Sequence, residues 1–85
     1  MTDITIYSAQ GCAYCQAAER LLRNKGIEQF NKIRVDVEDG RLEEMIERSG
    51  RRTVPQIFIG NFHVGGFDDL SRLDRAGQLD GLLGF

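Results

Sequence analysis

Only two cysteines occur in this chain of 85 residues, and they stand as Cys12-Ala13-Tyr14-Cys15 at a change of hydrophobic period. Ile4 to Tyr7 alternates apolar and polar side chains, the pattern of a short strand. From Ala13 to Asn24 the chain is rich in Ala, Leu, Gln, Glu and Arg, all favourable in helices. Ala17, Ala18, Leu21 and Leu22 recur there at helical spacing. The junction therefore places Cys12 at a helix entrance and Cys15 one turn inside it. The first helical turn leaves backbone N–H groups unpaired and carries the positive end of the helix dipole. A thiolate at Cys12 is favoured in that field, and the thiolate is the nucleophile of thiol–disulfide exchange. Cys15 points back along the same helix and is placed to resolve a disulfide formed at Cys12.

Other uses of the pair fit less well. A structural zinc site needs four Cys or His ligands, and His63 is the single histidine, so the set falls short and no metal site is expected. A purely structural disulfide between residues three apart closes too small a loop to remove much entropy from the unfolded chain.

Length limits the chain to one domain, residues 1–85, with one modest core. No apolar run reaches 18 residues, and Met1-Thr2-Asp3-Ile4 has neither the basic nor the apolar region of a signal peptide. Two cysteines do not make a disulfide-stapled secreted scaffold, so a reducing cytoplasmic location is expected. The formal net charge is −2 with both signs interspersed, which argues against a nucleic-acid groove or a membrane anchor.

Further along, Ile33, Val35 and Val37 alternate with charged residues and predict a second strand. Strand, helix, strand in succession implies a right-handed crossover and parallel pairing. Leu42, Met45 and Ile46 form the inner face of a second helix, with Arg41, Glu43, Glu44, Glu47 and Arg48 expected on a solvated face. Gln56-Ile57-Phe58-Ile59 and Phe62-His63-Val64 read as a hairpin about the turn Gly60-Asn61. Phe67, Leu70 and Leu73 mark a third helix, and Leu79, Leu82 and Leu83 a last short amphipathic segment. The order β-α-β-α-β-β-α, with a parallel first pair and an antiparallel hairpin, is an α/β thioredoxin-like fold: a four-stranded mixed sheet flanked by helices. Tyr7 is expected in the core or packed near the cysteines, and His63 on the solvent side of the hairpin.

Three motifs now stand in register: Cys12-Ala13-Tyr14-Cys15 after the first strand, Thr53-Val54-Pro55-Gln56 before the third, and Gly65-Gly66-Phe67-Asp68-Asp69 entering the third helix. Together with length and element order, they resemble the glutaredoxins over essentially the whole chain, the small bacterial dithiol members most of all. The resemblance implies an oxidoreductase of protein disulfides and glutathione mixed disulfides, with glutathione as cosubstrate, no tightly bound cofactor and a monomeric state. It assigns Cys12 as nucleophile and Cys15 as resolving thiol. It implies a glutathione site made by Tyr14, Arg52, Thr53, Val54, Pro55, Gly66, Phe67 and Asp68. In that site Tyr14 flanks the glutathione sulfur, the Val54 backbone pairs with the cysteine moiety, and Pro55 is a cis-proline facing the cysteines. Gly66, Phe67 and Asp68 hold the γ-glutamyl end.

Each implied role has a physical reading. An X–Pro bond adopts cis at modest cost, and the backbone before it can pair with a peptide as an added strand. Loop glycines permit close approach of backbone to ligand, and helix-start N–H groups hold a carboxylate. The chain departs from the family pattern twice. Ala13 stands where a proline usually follows the first cysteine, and Ala9 where a basic residue usually faces the glycyl carboxylate. Arg52 or Arg51 is then the candidate for that carboxylate. Family members lacking the proline suggest one alternative, a glutathione-bridged dimer carrying a [2Fe–2S] cluster; a second is a glutaredoxin-like hydrogen donor recharged by thioredoxin reductase, against which the Gly66-Phe67-Asp68-Asp69 loop argues.

Overall fold

The structure, a computed structural model, describes residues 3–85. Its elements run β1 (Ile4–Ser8), α1 (Ala13–Asn24), β2 (Asn31–Arg34), α2 (Arg41–Ser49), β3 (Gln56–Ile59), β4 (Phe62–Gly65), α3 (Phe67–Arg75) and α4 (Leu79–Leu83). The strands form one sheet in the order β2-β1-β3-β4. β1 pairs parallel with β2 and antiparallel with β3, and β3 returns through a tight turn to β4. This is the mixed sheet expected from the hydrophobic pattern, and the final leucines close it as α4.

Alternation along β1 divides the core in two. Ile4 and Ile6 point to one face, where they pack with Ala18 and Leu22 of α1, Leu70 of α3, and Leu79 and Leu83 of α4. Tyr7 points to the other face, where it meets Phe58 of β3 and Met45 of α2. Ile6, Leu22, Ile57 and Leu70 are wholly buried. Each such side chain contributes on the order of 2 kcal/mol by removal from water, so the larger face holds the sheet against three helices. The smaller face is sealed by α2 alone.

Two expectations need correction. The second strand ends at Arg34 rather than reaching Val37, which is 66% exposed. Asp36 draws the chain out of the sheet: its carboxylate takes both Arg34 Nε and Nη2 at 2.8 and 2.7 Å and the Gln10 N–H at 3.1 Å. The Glu38 N–H then turns back to the Arg34 carbonyl at 2.9 Å. Second, the charged face of α2 is not wholly solvated. Glu44 accepts the buried Tyr7 hydroxyl, and Arg48 Nη1 donates to that same oxygen at 2.8 Å. Lys25 at the end of α1 pairs with Asp74 and Asp80, at 2.6 and 3.0 Å, tying α1 to α3 and α4.

Candidate active site: a disulfide at a helix N-terminus beside a cleft

Cys12 caps α1. Its backbone is extended, and its Sγ accepts the Cys15 N–H at 3.1 Å, the position a Ser or Asp oxygen usually takes. The two cysteines are joined in a disulfide, with Cα atoms 5.2 Å apart. Cys15 is 1% exposed and packed inside, whereas Cys12 reaches the surface. A reagent arriving from solvent therefore meets Cys12 first. No acidic side chain lies in the first turn of α1, so nothing there opposes negative charge on the Cys12 sulfur once the bond is reduced. The loop ahead of Cys12 is held from β2, because Asp36 binds the Gln10 N–H. That hydrogen bond and the Arg34 guanidinium keep the Asp36 carboxyl well below the usual carboxylate range, the arginine having the larger effect.

The chain from Arg51 to Pro55 runs past the disulfide. Val54–Pro55 is a cis peptide bond. The Val54 carbonyl oxygen lies 3.8 Å from Cys12 Sγ. The oxidised sulfur carries no proton, so this is a contact that only a reduced thiol could turn into a hydrogen bond. A cleft of about 260 Å³ opens alongside. α1 contributes Tyr14 to its walls, the loop before β3 contributes Arg51, Thr53, Val54 and Pro55, and the start of α3 contributes Gly66, Phe67, Asp68 and Asp69. Tyr14 is 65% exposed and its ring faces that of Phe67, with centroids 6.1 Å apart. Of the two candidate arginines, Arg51 lines the cleft; Arg52 is exposed outside the lining.

Asp69 organises the far wall. Its Oδ2 accepts the Gly66 N–H at 2.9 Å and Arg51 Nη1 at 3.1 Å. The Gly66 N–H, and after it the Arg51 charge, hold this carboxyl below its ordinary value. The arrangement depends on Gly65, which has φ +115° and lies buried against Asp69; a Cβ there would collide with the carboxylate. The first glycine of the pair thus makes room for a side chain of this protein. A larger depression of about 650 Å³ lies at the other end of β1, around Glu19, Arg23 and Lys32, and shares no lining residue with this cleft.

A glutaredoxin family model matches residues 4–64. The chain belongs to the glutaredoxin family. It is 51% identical over 83 residues to a glutaredoxin of Neisseria meningitidis, covering 98% of both chains. It is 49% identical over 83 residues to glutaredoxin 3 of Escherichia coli, covering 98% of this chain and 99% of that one. Among solved structures, a glutaredoxin–glutathione complex from buckwheat superposes with a TM-score of 0.87 at 30% identity, over 96% of this chain and 76% of that one.

Within this glutaredoxin fold, Cys12, Cys15, Tyr14, Thr53, Val54, Pro55, Gly66, Phe67 and Asp68 are brought to one end of the sheet. Sequence reasoning gave Asp69 no role beyond its place in the motif that enters the third helix. It also missed two side chains behind the loop. Gln56, expected only as a strand residue, is fully buried. His63 is half-buried and stacked on Phe58, with ring centroids 4.8 Å apart, rather than turned to solvent. The one available signal was a Gln opening an otherwise apolar strand.

Proposed function

We propose that this chain, as a single domain over residues 1–85, is a glutathione-dependent dithiol oxidoreductase of protein disulfides and glutathione mixed disulfides. The observation that carries the reading is the reactive geometry. An accessible sulfur at a helix N-terminus is bonded to a buried one, and both stand beside a cleft. In the reaction, the Cys12 thiolate attacks the glutathione sulfur of a mixed disulfide. A Cys12–glutathione disulfide forms and the protein thiolate leaves, taking up a proton. A second glutathione thiolate then attacks that glutathione sulfur, giving glutathione disulfide and restoring the Cys12 thiolate. On a protein disulfide, Cys12 forms a mixed disulfide with one sulfur. Cys15 attacks the Cys12 sulfur, the target leaves reduced, and two glutathiones reopen the Cys12–Cys15 bond.

The cleft suits glutathione in size and polarity, and the buckwheat relative is described in complex with it. In this reading Tyr14 flanks the ligand sulfur, the Val54 backbone pairs with its cysteine moiety, and Thr53 and Pro55 shape the floor. Gly66, Phe67 and Asp68 receive the γ-glutamyl end, and Arg51 takes the glycyl carboxylate in the place first given to Arg52. The protein acts in the cytoplasm as a monomer, with glutathione and glutathionylated or disulfide-bearing proteins as its partners.

The test is turnover of a glutathionylated peptide coupled to glutathione reductase. Cys12→Ser abolishes it, while Cys15→Ser retains it and loses reduction of a protein disulfide, because deglutathionylation needs only the attacking sulfur. Turnover that survives Cys12→Ser, or is lost only in Cys15→Ser, reverses the roles.

A further inference from the structure

We propose that Gln56 and His63 form a positioning relay that aims the Val54 amide into the cleft beside Cys12. The proposal rests on the function given above for the identity of the ligand, but its geometry stands without any ligand.

Gln56 opens β3 and is wholly buried, ahead of the apolar run Ile57-Phe58-Ile59. A buried primary amide is costly unless its donors and acceptor are met. Its Nε2 donates to the Thr53 carbonyl oxygen at 3.0 Å and to Thr53 Oγ1 at 3.2 Å. A carbonyl can only accept, so this partner fixes which end of the amide faces Thr53. Oε1 then faces His63, whose Nε2 lies 2.7 Å away. That nitrogen must therefore carry the proton, and the neutral ring is the Nε2–H tautomer. The ring is held flat against Phe58, and the Arg48 guanidinium lies 4.1 Å from the Phe58 centroid. The relay His63 to Gln56 to Thr53 thus runs along the α2 side of the sheet, its His63 end stacked on Phe58.

Its output is the orientation of one peptide group. Among the described residues the only cis bond is Val54–Pro55, so the peptide joining Thr53 to Val54 is trans. In a trans peptide the C=O and N–H point in opposite directions. Gln56 draws the Thr53 carbonyl toward the sheet, which turns the Val54 N–H the other way. Val54 lines the cleft, and its N–H makes no hydrogen bond within the described residues. A donor with a fixed direction, left without a partner beside the reactive sulfur, is what an extended peptide ligand needs to pair with the backbone there. Gln56 and His63 touch neither the cleft nor the disulfide, so they act through Thr53 and Val54.

Three substitutions test this. His63→Phe keeps the stack on Phe58 and removes the donor. His63→Gln restores a donor, and Gln56→Met removes both halves of the relay at similar volume. In ligand-free protein, ¹⁵N relaxation should show added motion at Thr53 and Val54 in His63→Phe, with Leu22 unchanged. In turnover of a glutathionylated peptide, His63→Phe and Gln56→Met should each raise KM by about three- to tenfold, the effect of one hydrogen bond. Alkylation of Cys12 by iodoacetamide should keep its rate, and His63→Gln should bring KM back toward the parent value. The relay is refuted if Val54 stays as ordered in His63→Phe as in the parent. It is equally refuted if KM is unmoved, or if KM, alkylation rate and thermal stability all shift together and His63→Gln rescues nothing. Should Gln56→Met fail to fold, the two His63 variants decide alone. If the parent itself does not turn over the peptide, the ligand assignment fails, while the relaxation measurement still judges the relay.

Discussion

Gly65→Ala is the substitution that most directly probes how the cleft is built. Gly65 sits at φ +115°, where side-chain-bearing residues are strained by about 1–3 kcal/mol. The added Cβ also meets the Asp69 carboxylate, which must swing away and release the Gly66 N–H and Arg51. A charge-assisted hydrogen bond is worth about 1.5–3 kcal/mol. The Asp69 side chain is 28% exposed, so water recovers part of this and the lower end applies. The two effects sum to about 3 kcal/mol, a large share of the about 4–13 kcal/mol expected for a domain of this length. For a domain this size the melting temperature should fall by about 15 °C. The decisive assay is a double-mutant cycle by urea unfolding, with Gly65→Ala made in the parent and in Asp69→Ala. With the carboxylate gone only the backbone strain remains, so the cost should drop by about 1.5 kcal/mol. A cost below about 1 kcal/mol in the parent would contradict the strain argument. Equal costs in the two backgrounds would show that the carboxylate and the new methyl never compete for the same space.

Arg51→Ala should raise KM for a glutathionylated peptide by about two- to fivefold, the range of an exposed ion pair, and the difference should shrink as salt rises. Arg52→Ala should leave KM unchanged, and the opposite ranking would place the carboxylate contact on Arg52. Burial, and next the nearby Arg51 charge, push the His63 pKa below its ordinary value near 6.5. The unfolded chain therefore binds the proton first, so stability from this residue is complete above about pH 6.5 and declines as pH falls through the lower folded-state value. Glu44 and Asp69 are also shifted down, but from lower starting values, so their losses come only at more acidic pH. Urea midpoints between about pH 7.5 and 5 should fall in the parent and stay level in His63→Phe; a level parent curve would remove the argument.

What could be read from the chain was local. The α1 boundaries, the hairpin about Gly60-Asn61 and the start of α3 each follow from residues within a few positions of one another. The redox chemistry of Cys12 is also local, because a helix entrance is made by the same turn that carries the cysteine. The second strand was misjudged for the converse reason. Ile33, Val35 and Val37 keep a strand period, but where pairing stops is set by Asp36 reaching Gln10, 26 residues away in sequence. The charged residues of α2 were indistinguishable by pattern, and only Tyr7 arriving from β1 separates Glu44 and Arg48 from Glu43 and Glu47.

The same distinction explains why the cleft was only half legible. Its motifs announce themselves one by one, yet the side chains that fix their relative placement belong to other elements. Adjacent arginines 51 and 52 look alike in sequence; Asp69 of α3 selects Arg51. Thr53 and Val54 carry no information about the direction of their shared peptide group. That direction comes from Gln56 three residues on and His63 across the hairpin. The thiolate end of the site is thus written in one helical turn. The end that would hold a peptide ligand depends on the β3–β4 hairpin being packed correctly. Variants within the hairpin should therefore impair substrate recognition before they impair the cysteine.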